Sequence, residues 1–269
     1  MESYIQQYNN IERTVKYYYQ QLQFDKYKKR LGRKLAIPIE ESIALALFKQ
    51  KNNIATKKSL YEIVHPDCSY KTLVVNINRW FFLALVILVM LMRANRQSAH
   101  LIKIIDSTDI PVGRNKNAKT HKVLQGIASY SKRHQGKKHI YGLKLHLVID
   151  ANRNFLAIKF TSANVDDREV VLELTADLLG IFLADAGYVS QKLARDFYQE
   201  NEKIIFAVPR KNMRKLMTDW QEKLLRKRMI IEFDFRSLKL FYGLVTSLPR
   251  SVDGYFANYI YALLAYQII

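Results

Sequence analysis

The chain has 269 residues, with 43 Lys or Arg against 24 Asp or Glu and a formal net charge of +19. This length allows one large domain or two small ones and is sufficient to bury a sizeable core. The excess of positive charge predicts a polyanionic partner, either nucleic acid or an anionic membrane face. The only cysteine is Cys68, so the sequence offers no pair for an internal disulfide and indicates a reducing compartment.

The sequence favours a soluble protein over a membrane protein. The first residues, Met1 to Gln7, are polar and lack the apolar core of a signal peptide. The most apolar window, Trp80 to Met92, has 13 residues, whereas a helix that crosses a bilayer needs about 20. We interpret this window as a buried helix and expect a cytoplasmic protein with no membrane partner, which leaves nucleic acid as the polyanion.

The first 99 residues are predicted to form an all-α region. Pro38 stands just before two glutamates and fits the first turn of a helix, and Thr56 and Ser69 can cap two further helices. Three short helices of which the third is polar and basic are typical of a helix-turn-helix, whose recognition helix enters the major groove of DNA. A plain helical bundle with solvated charges explains the same pattern equally well.

After Ala99 the pattern changes from helical to strand-like. Alternating and short apolar runs predict strands over residues 101–105, 139–149, 155–160, 181–184 and 204–208. The predicted helices in this half span residues 166–179, 191–199, 220–239 and 255–268. An antiparallel meander followed by alternating helices and strands predicts an α/β domain over residues 100–269, with a ribonuclease-H-like mixed sheet flanked by helices. In such a sheet the first and fourth strands are neighbours.

Three acids have settings that indicate a shared site. Asp106 and Asp185 follow the first and fourth predicted strands, and ligands of open α/β sheets collect at the carboxyl ends of strands. Glu232 lies on a predicted helix between two cations. Three carboxylates repel one another unless a cation lies among them, and Mg²⁺ prefers such hard oxygen ligands. We therefore predict that the three converge as catalytic residues and metal ligands, holding two divalent ions beside a DNA backbone.

A long acid-free window is predicted to contact the DNA backbone. Residues 110–149 contain nine Lys or Arg and no Asp or Glu. They include Lys122 in a predicted loop, and Lys144 on a strand face that it shares with His146. Both lysines are predicted phosphate contacts. The alternatives are a solvated loop around Lys122 and a structural histidine beside Lys144.

Further cations lie near the third acid. Arg228 is four residues before Glu232 and Lys239 is seven after it, so on one helix all three project from roughly the same face. This arrangement suits a grip on DNA phosphate beside a metal, and its alternative is an amphipathic surface helix with an ordinary ion pair. Arg210 and Lys211, in a basic linker, complete the predicted DNA contacts.

Five other acids are assigned away from the site. Asp109 is interpreted as a loop acid, because the strand is predicted to end before it. Asp166 and Asp167 begin a helix, where acids stabilise the dipole, although Asp167 could still reach the site. Asp150 belongs to a hairpin turn, and Asp234 points to another face of its helix than the third acid does.

Seven short segments after residue 104 together resemble a known protein family, although each segment is too short to do so alone. They are Ile105–Thr108, His121–Ala128, Tyr141–His146, Asn164–Arg168, Asp185–Tyr188, Arg210–Asn212 and Arg228–Lys239. In this order and spacing, residues 104–268 resemble the DDE-type transposases of bacterial insertion sequences, which have a ribonuclease-H-like catalytic core. The family usually has a tyrosine at the position of Leu225, so the contact that this tyrosine makes is missing here.

The resemblance implies a function and its partners. It implies Asp106, Asp185 and Glu232 as the catalytic triad, with Mg²⁺ or Mn²⁺ as cofactor. It implies nicking at the ends of a transposable element and joining of the freed 3′ hydroxyls to target DNA. The implied partner is double-stranded DNA, which includes the terminal inverted repeats of the element and the target DNA. Residues 1–99 are implied to read the inverted repeats, and a second copy of the chain is implied in a homodimer on the DNA. Such a protein is expected at the nucleoid in a bacterial cytoplasm.

Two other functions remain open on the sequence. A ribonuclease-H-like metal nuclease of the resolvase type would cleave branched DNA without joining ends. A catalytically decayed transposase would bind DNA without cutting it, although the presence of all three acids argues against decay. A strand-transfer assay separates the first alternative from transposition, and a Mn²⁺ titration tests the second.

Overall fold

The computed structural model describes residues 3–28, 34–131, 139–209 and 217–268. The chain divides into two compact units. The helical unit comprises Met1–Met90 and Ser237–Ile269, and the sheet unit comprises Leu91–Arg236. The helical unit therefore also takes in the end of the chain, which the sequence assigns to the second domain. The predicted domain boundary between residues 99 and 100 stays a prediction.

Ten α-helices and six strands are present in the described residues. The helices are α1 (Tyr4–Gln21), α2 (Ile39–Lys51), α3 (Lys57–Val64), α4 (Tyr70–Arg79), α5 (Phe81–Gln97), α6 (Asp167–Leu174), α7 (Gln191–Asn201), α8 (Asp219–Arg226), α9 (Met229–Leu240) and α10 (Val252–Ile268). The strands are β1 (Ile102–Pro111), β2 (Ser129–Tyr130), β3 (Tyr141–Asp150), β4 (Phe155–Ser162), β5 (Ile181–Ala184) and β6 (Ile204–Ala207). Each strand predicted from the sequence is present, β5 with the predicted bounds and the others with different bounds.

Side-chain caps fix where three of the N-terminal helices begin. The hydroxyls of Ser3, Thr56 and Ser69 accept hydrogen bonds from backbone N–H groups in the first turns of α1, α3 and α4. Caps of this kind stabilise a helix by about 0.5–2 kcal/mol. Capping by Thr56 and Ser69 is thus confirmed, and so is the all-α character of this part of the chain.

Helix α10 joins the helical unit through paired polar groups as well as apolar packing. Gln50 on α2 donates from Nε2 to the carbonyl oxygen and to Oδ1 of Asn258, at 2.9 and 3.0 Å. The hydroxyl of Tyr261 on α10 donates to the carbonyl of Ile77 on α4 at 3.1 Å. Buried polar groups that are paired in this way do not carry the penalty of lost hydration. These contacts explain why the end of the chain groups with the N-terminal helices.

Helix α5 follows α4 almost without interruption. Together they form a stretch, Tyr70–Gln97, that is long and apolar enough to cross a membrane by length and composition alone, and 44% of its most apolar window is buried inside the fold. The 13-residue window that the sequence marks as too short is therefore part of a longer helical stretch. Leu83, Ala84, Ile87 and Leu88 are fully buried at the spacing of a core-facing helix. A core helix of a soluble protein passes the same test, so the cytoplasmic location stays a prediction.

The sheet unit is built on a six-stranded mixed sheet. Its strand order is β2-β3-β1-β5-β6, and β4 pairs with β3. β3 is antiparallel to both β1 and β4, whereas β5 runs parallel to β1 and to β6. Because β1 and β5 are the first and fourth predicted strands, their predicted adjacency is confirmed. Helices α6, α7 and α8 contact the strands of this sheet, and the ribonuclease-H-like α/β fold is confirmed.

Strand β1 is longer than the sequence predicts. The predicted strand ends before Asp106, but β1 continues to Pro111 through antiparallel pairing with β3. Gly142 on β3 makes this close pairing possible, because a Cβ there would lie 2.1 Å from the carbonyl oxygen of Ile110. Asp109 therefore lies within the strand, and its interpretation as a loop acid is wrong.

Two predicted helices end or break earlier than their periodicity indicates. Helix α6 ends at Leu174, and the hydroxyl of Thr175 donates back to the Val171 carbonyl at 2.8 Å. The predicted helix over residues 220–239 is divided into α8 and α9, with Arg228 between them. This break places Arg228 at the start of a helix rather than in its interior.

Candidate active site

The register of β1 and β5 brings two of the predicted acids together. Ile104 pairs with Leu183 in the parallel ladder, and continuing that register by two residues sets Asp106 opposite Asp185. Strand β5 stops at Ala184, so Asp185 begins the turn that follows, while β1 runs on. The prediction that both acids stand at strand ends is therefore right for Asp185 and wrong for Asp106, which lies within β1.

Asp106 is an acid whose negative charge is poorly compensated. Burial raises the pKa of Asp106 to about 7, from an ordinary value of 3.8. The backbone N–H of Ser107, 2.8 Å from Oδ1, and the guanidinium of Arg228 oppose that shift. The negative charges of Asp185 and Asp167 add to it. A carboxyl group in such a setting is neutralised either by a proton or by a cation.

Arg228 links Asp106 to Glu232. Its Nη1 lies 3.3 Å from Asp106 Oδ2, and its Nη2 lies 2.6 Å from Glu232 Oε1. The break between α8 and α9 sets Arg228 just before α9, and Glu232 lies in the first turn of that helix, where an acid is favourable. A guanidinium can serve two carboxylates because its donors form a planar fork. Arg228 is thus the cation through which the first and third predicted acids are connected.

The donor set suits a divalent cation. Carboxylate oxygens are the ligands that Mg²⁺ and Mn²⁺ prefer, and Asp106 combines such oxygens with a negative charge that is compensated only in part. Among the residues that the structure describes, no three His, Cys, Asp or Glu side chains are grouped closely enough to hold a metal ion. The convergence of all three predicted acids on shared ions therefore stays a prediction.

Asp167 forms a second polar cluster on the face of β1 opposite to the first acid. Its Oδ1 accepts hydrogen bonds from the Ser107 hydroxyl at 2.8 Å and from the Lys144 ammonium at 3.0 Å. Lys144 also donates to the carbonyl of Val165 at 2.8 Å. The residue that caps α6 is Asp166. Asp167 lies in the first turn of α6 as predicted, but its carboxylate also ties α6 to β1 and β3, so its role is not only to stabilise the helix dipole.

Two buried side chains complete this cluster. His146 is 1% exposed, and its Nε2 lies 2.8 Å from the hydroxyl oxygen of Thr161. Burial lowers the pKa of His146 to about 4, so the ring is neutral at physiological pH and its role is structural. Tyr188 is also buried, and burial together with the charges of three nearby acids raises the pKa of its phenol well above the ordinary value. Tyr188 therefore remains protonated beside the acids.

The sequence alone does not single out Ser107 and Tyr188 as neighbours of the candidate site, and it gives Asp167 only as an acid that could reach it. Each lies within one of the segments that carry the family resemblance, and that position was the available signal. Leu225, at the position of the family's usual tyrosine, is buried with 7% exposure. An apolar side chain is favourable there, because a buried hydroxyl would need a partner.

The predicted DNA contacts have different surroundings. Lys122 is exposed in a loop. The ammonium of Lys144 is engaged in the cluster described above, so it is not directed at a phosphate in this arrangement. Lys239 lies in the last turn of α9, in the helical unit. Arg210 and Lys211 lie outside the described residues. Contact of these residues with DNA stays a prediction.

The fold and the acids define a class of protein: a ribonuclease-H-like protein with one carboxylate within β1 and another directly after the neighbouring parallel strand β5. A family model described as the transposase DDE domain matches residues 96–251, and the chain belongs to this family. A solved structure described as "Crystal structure of the Mos1 mariner paired end complex with Mn" is 13% identical, with 84% of this chain and 86% of that chain covered and a TM-score of 0.25. No curated protein matches the chain.

Proposed function

We propose that the protein is an insertion-sequence transposase that binds the ends of its element and, with a divalent metal, cleaves and joins DNA strands. The observation that carries this proposal is the Arg228 guanidinium between Asp106 and Glu232, with Asp185 directly after β5 and near enough for its charge to act on Asp106. Membership in the transposase DDE domain family supports the same chemistry.

The metal ligands in this proposal are Asp106, Asp185 and Glu232, and the cofactor is a pair of Mg²⁺ or Mn²⁺ ions. When bound, divalent cations supply the positive charge that activates the attacking oxygen and stabilises the leaving oxygen. Arg228 supplies charge from the protein itself. Its planar donors match phosphate as well as carboxylate oxygens, so it would orient a DNA phosphate beside the acids once metal ions pair with Asp106 and Glu232 in its place.

The proposed reaction has two displacements at phosphorus. In the first, water attacks the phosphodiester at an element end, one P–O bond forms, and the bond to the 3′ oxygen breaks, which leaves a 3′ hydroxyl. In the second, that hydroxyl attacks a phosphodiester of the target, and one phosphodiester bond forms as another breaks. For this chemistry the protein has to position the reacting groups and stabilise charge in the transition state, which carboxylates and an arginine can do.

The proposed partners are double-stranded DNA and a second copy of the chain. A net charge of +19 favours binding to phosphates without regard to sequence. Recognition of the terminal inverted repeats is assigned to residues 1–99. Because two element ends must be joined to one target, we infer a homodimer on the DNA, working at the nucleoid of a bacterial cytoplasm.

The test is to incubate the protein with duplexes that carry its own element's ends and Mg²⁺, and then to map nicks and joined products. We expect nicks that expose a 3′ hydroxyl at the ends, followed by strand-transfer products. Cleavage of branched DNA without joining would support a resolvase, and binding without any cleavage would support a decayed transposase. The Glu232→Gln variant serves as the matched negative control, since it removes one charge and keeps the shape of the side chain.

A further inference from the structure

A cavity of about 500 Å³ lies within the helical unit. The first turns of α3 and α10 contribute to its wall, together with residues of α2 and α4. Its described lining contains four cations, namely Lys49, Lys57, Lys58 and Arg250, and it contains no acid. Four like charges around one cavity repel one another, so the wall of this cavity carries an excess of positive charge.

Two of the four cations are held inside the wall. Lys49 is 8% exposed, and its ammonium donates to Oε1 of Gln50 at 3.1 Å. The ammonium of Lys57 donates to Oδ1 of Asn78, which also lines the cavity. Both partners are neutral amides. An amide oxygen accepts a hydrogen bond from an ammonium but cannot neutralise its charge, so the charges of both lysines remain uncompensated.

The protonation of the two lysines reflects this setting. Burial lowers the pKa of Lys49 to about 8. Burial, and then the positive charge of Lys49, lowers the pKa of Lys57 to about 8. Lys58 differs, because it is exposed and lies 3.2 Å from the carboxylate of Glu62. The uncompensated charge is therefore concentrated on Lys49 and Lys57, and it is removed either by loss of a proton or by an added anion.

The chemistry of the wall selects the kind of anion. A tetrahedral phosphate group presents its acceptor oxygens in more directions than a carboxylate does, so one group can accept hydrogen bonds from both lysines at once. Phosphate that is free in solution carries up to two negative charges, and a DNA phosphodiester carries one. Arg250, exposed at the start of α10, can add a planar bidentate contact. The first turns of two helices add backbone donors that favour anions.

We propose that this cavity of the helical unit binds a phosphate group through Lys49, Lys57 and Arg250. The phosphate can belong to DNA, which would rest on the proposed function, or it can be free in solution. The proposal makes no use of Asp106 or of the other acids of the sheet unit. It can therefore stand or fall independently of strand cleavage.

The first experiment measures binding of inorganic phosphate to the full chain by thermal unfolding at pH 7, with sodium chloride at matched ionic strength as the reference. We expect phosphate to raise the melting temperature of the wild type. Lys57→Gln and Lys49→Gln should each weaken this binding at least about tenfold, since each removes a charged hydrogen-bond donor. Lys71→Gln, which removes an exposed lysine of α4 outside the cavity, should bind phosphate as the wild type does.

The proposal is overturned if phosphate stabilises the wild type no more than chloride does, or if Lys57→Gln and Lys49→Gln respond to phosphate as Lys71→Gln does. A parallel titration of Asp106→Asn should give the wild-type phosphate response, which separates this site from the proposed catalytic function. A second measurement identifies the source of the phosphate. If the affinity for duplex DNA falls more in Lys57→Gln than in Lys71→Gln, the cavity takes a DNA phosphate; if both fall equally while phosphate binding differs, it takes free phosphate.

Discussion

The sheet unit and the helical unit each contain a cluster of charge that is compensated only in part, and the two clusters have opposite signs. In the sheet unit, acids surround one arginine, and burial raises the pKa of Asp106. In the helical unit, cations surround a cavity without an acid, and burial lowers the pKa of Lys49 and Lys57. One physical cause, loss of hydration, thus acts in both directions. Each cluster suits a ligand of the other sign, a metal cation in one case and a phosphate anion in the other.

The comparison also shows how differently the two clusters are built. The acids of the sheet unit depend on the register of β1 and β5 and on the break before α9. Asp185 and Glu232 follow Asp106 by 79 and 126 residues in the chain. Lys49, which is buried, and Lys57, which is half-buried, come from neighbouring helices, α2 and α3. Charges that are buried without full compensation reduce the free energy of unfolding, and clusters of this kind are found at functional sites more often than elsewhere.

The largest expected effect concerns the acids. Asp106→Asn and Asp185→Asn should each reduce metal-dependent strand cleavage by at least about 10²–10³-fold, as removal of a group that stabilises charge in a transition state does. DNA affinity should be unchanged, because neither substitution removes a cation. Rates of nicking and gel-shift titrations on the same duplex measure the two quantities. Asp177→Asn, which changes an exposed acid of the same unit, is the matched control. Cleavage at the wild-type rate by either site variant would contradict the catalytic role of that acid.

A smaller loss is expected at the cluster beside the acids. Asp167→Asn should weaken the hold on Ser107 and Lys144 and reduce cleavage by about 10–100-fold, the range found for residues that orient metal ligands. The expected loss is in kcat rather than KM, because Asp167 acts through β1 and not on DNA.

The neighbouring residue supplies the control for this prediction. Asp166→Asn should leave cleavage nearly unchanged, since asparagine caps a helix about as well as aspartate. Equal cleavage rates of the Asp166→Asn and Asp167→Asn variants would show that the contacts of Asp167 hold the fold together but do not support catalysis.

The smallest expected effect is on stability and depends on pH. In the folded protein the pKa of Lys57 is about 8, against an ordinary value of 10.5. Between pH 8 and pH 10.5, Lys57 is protonated in the unfolded chain but not in the folded protein, so the free energy of unfolding rises with pH in this window. Below pH 8 the folded protein carries the full cost of a protonated, poorly hydrated Lys57. Lys57→Gln should therefore raise the free energy of unfolding by about 1–3 kcal/mol at pH 7. Denaturation at a series of pH values should show this gain shrinking towards pH 10.5, and a gain that did not depend on pH would rule out a charge effect.

Part of this account is accessible from the sequence, because some features depend on local pattern. The caps Thr56 and Ser69 and the alternation of the strands predict elements, and the order of those elements predicts that β1 and β5 are neighbours. Asp106 and Asp185 follow from that adjacency. These features need only the chemistry of adjacent residues and the rules by which strands are connected.

The rest depends on partners that are distant in sequence. The extension of β1 past Asp106 is set by β3, and the contact of Asp167 with Ser107 depends on where α6 meets the sheet. Lys49 occupies an ordinary position in a helical pattern, but it is buried in the fold, where α2 packs against other helices, including α10 some two hundred residues later. No local pattern distinguishes such a lysine from a solvated one.

The central claim is that Asp106 and Asp185 act together as ligands of a divalent cation. Isothermal titration with Mn²⁺ tests it directly on the wild type, Asp106→Asn, Asp185→Asn and the Asp177→Asn control. The account predicts saturable binding to the wild type and the control, and an affinity lower by at least about 10–100-fold in each of the two site variants. Binding of Mn²⁺ to both site variants with wild-type affinity, or no binding to the wild type with DNA present, would contradict it.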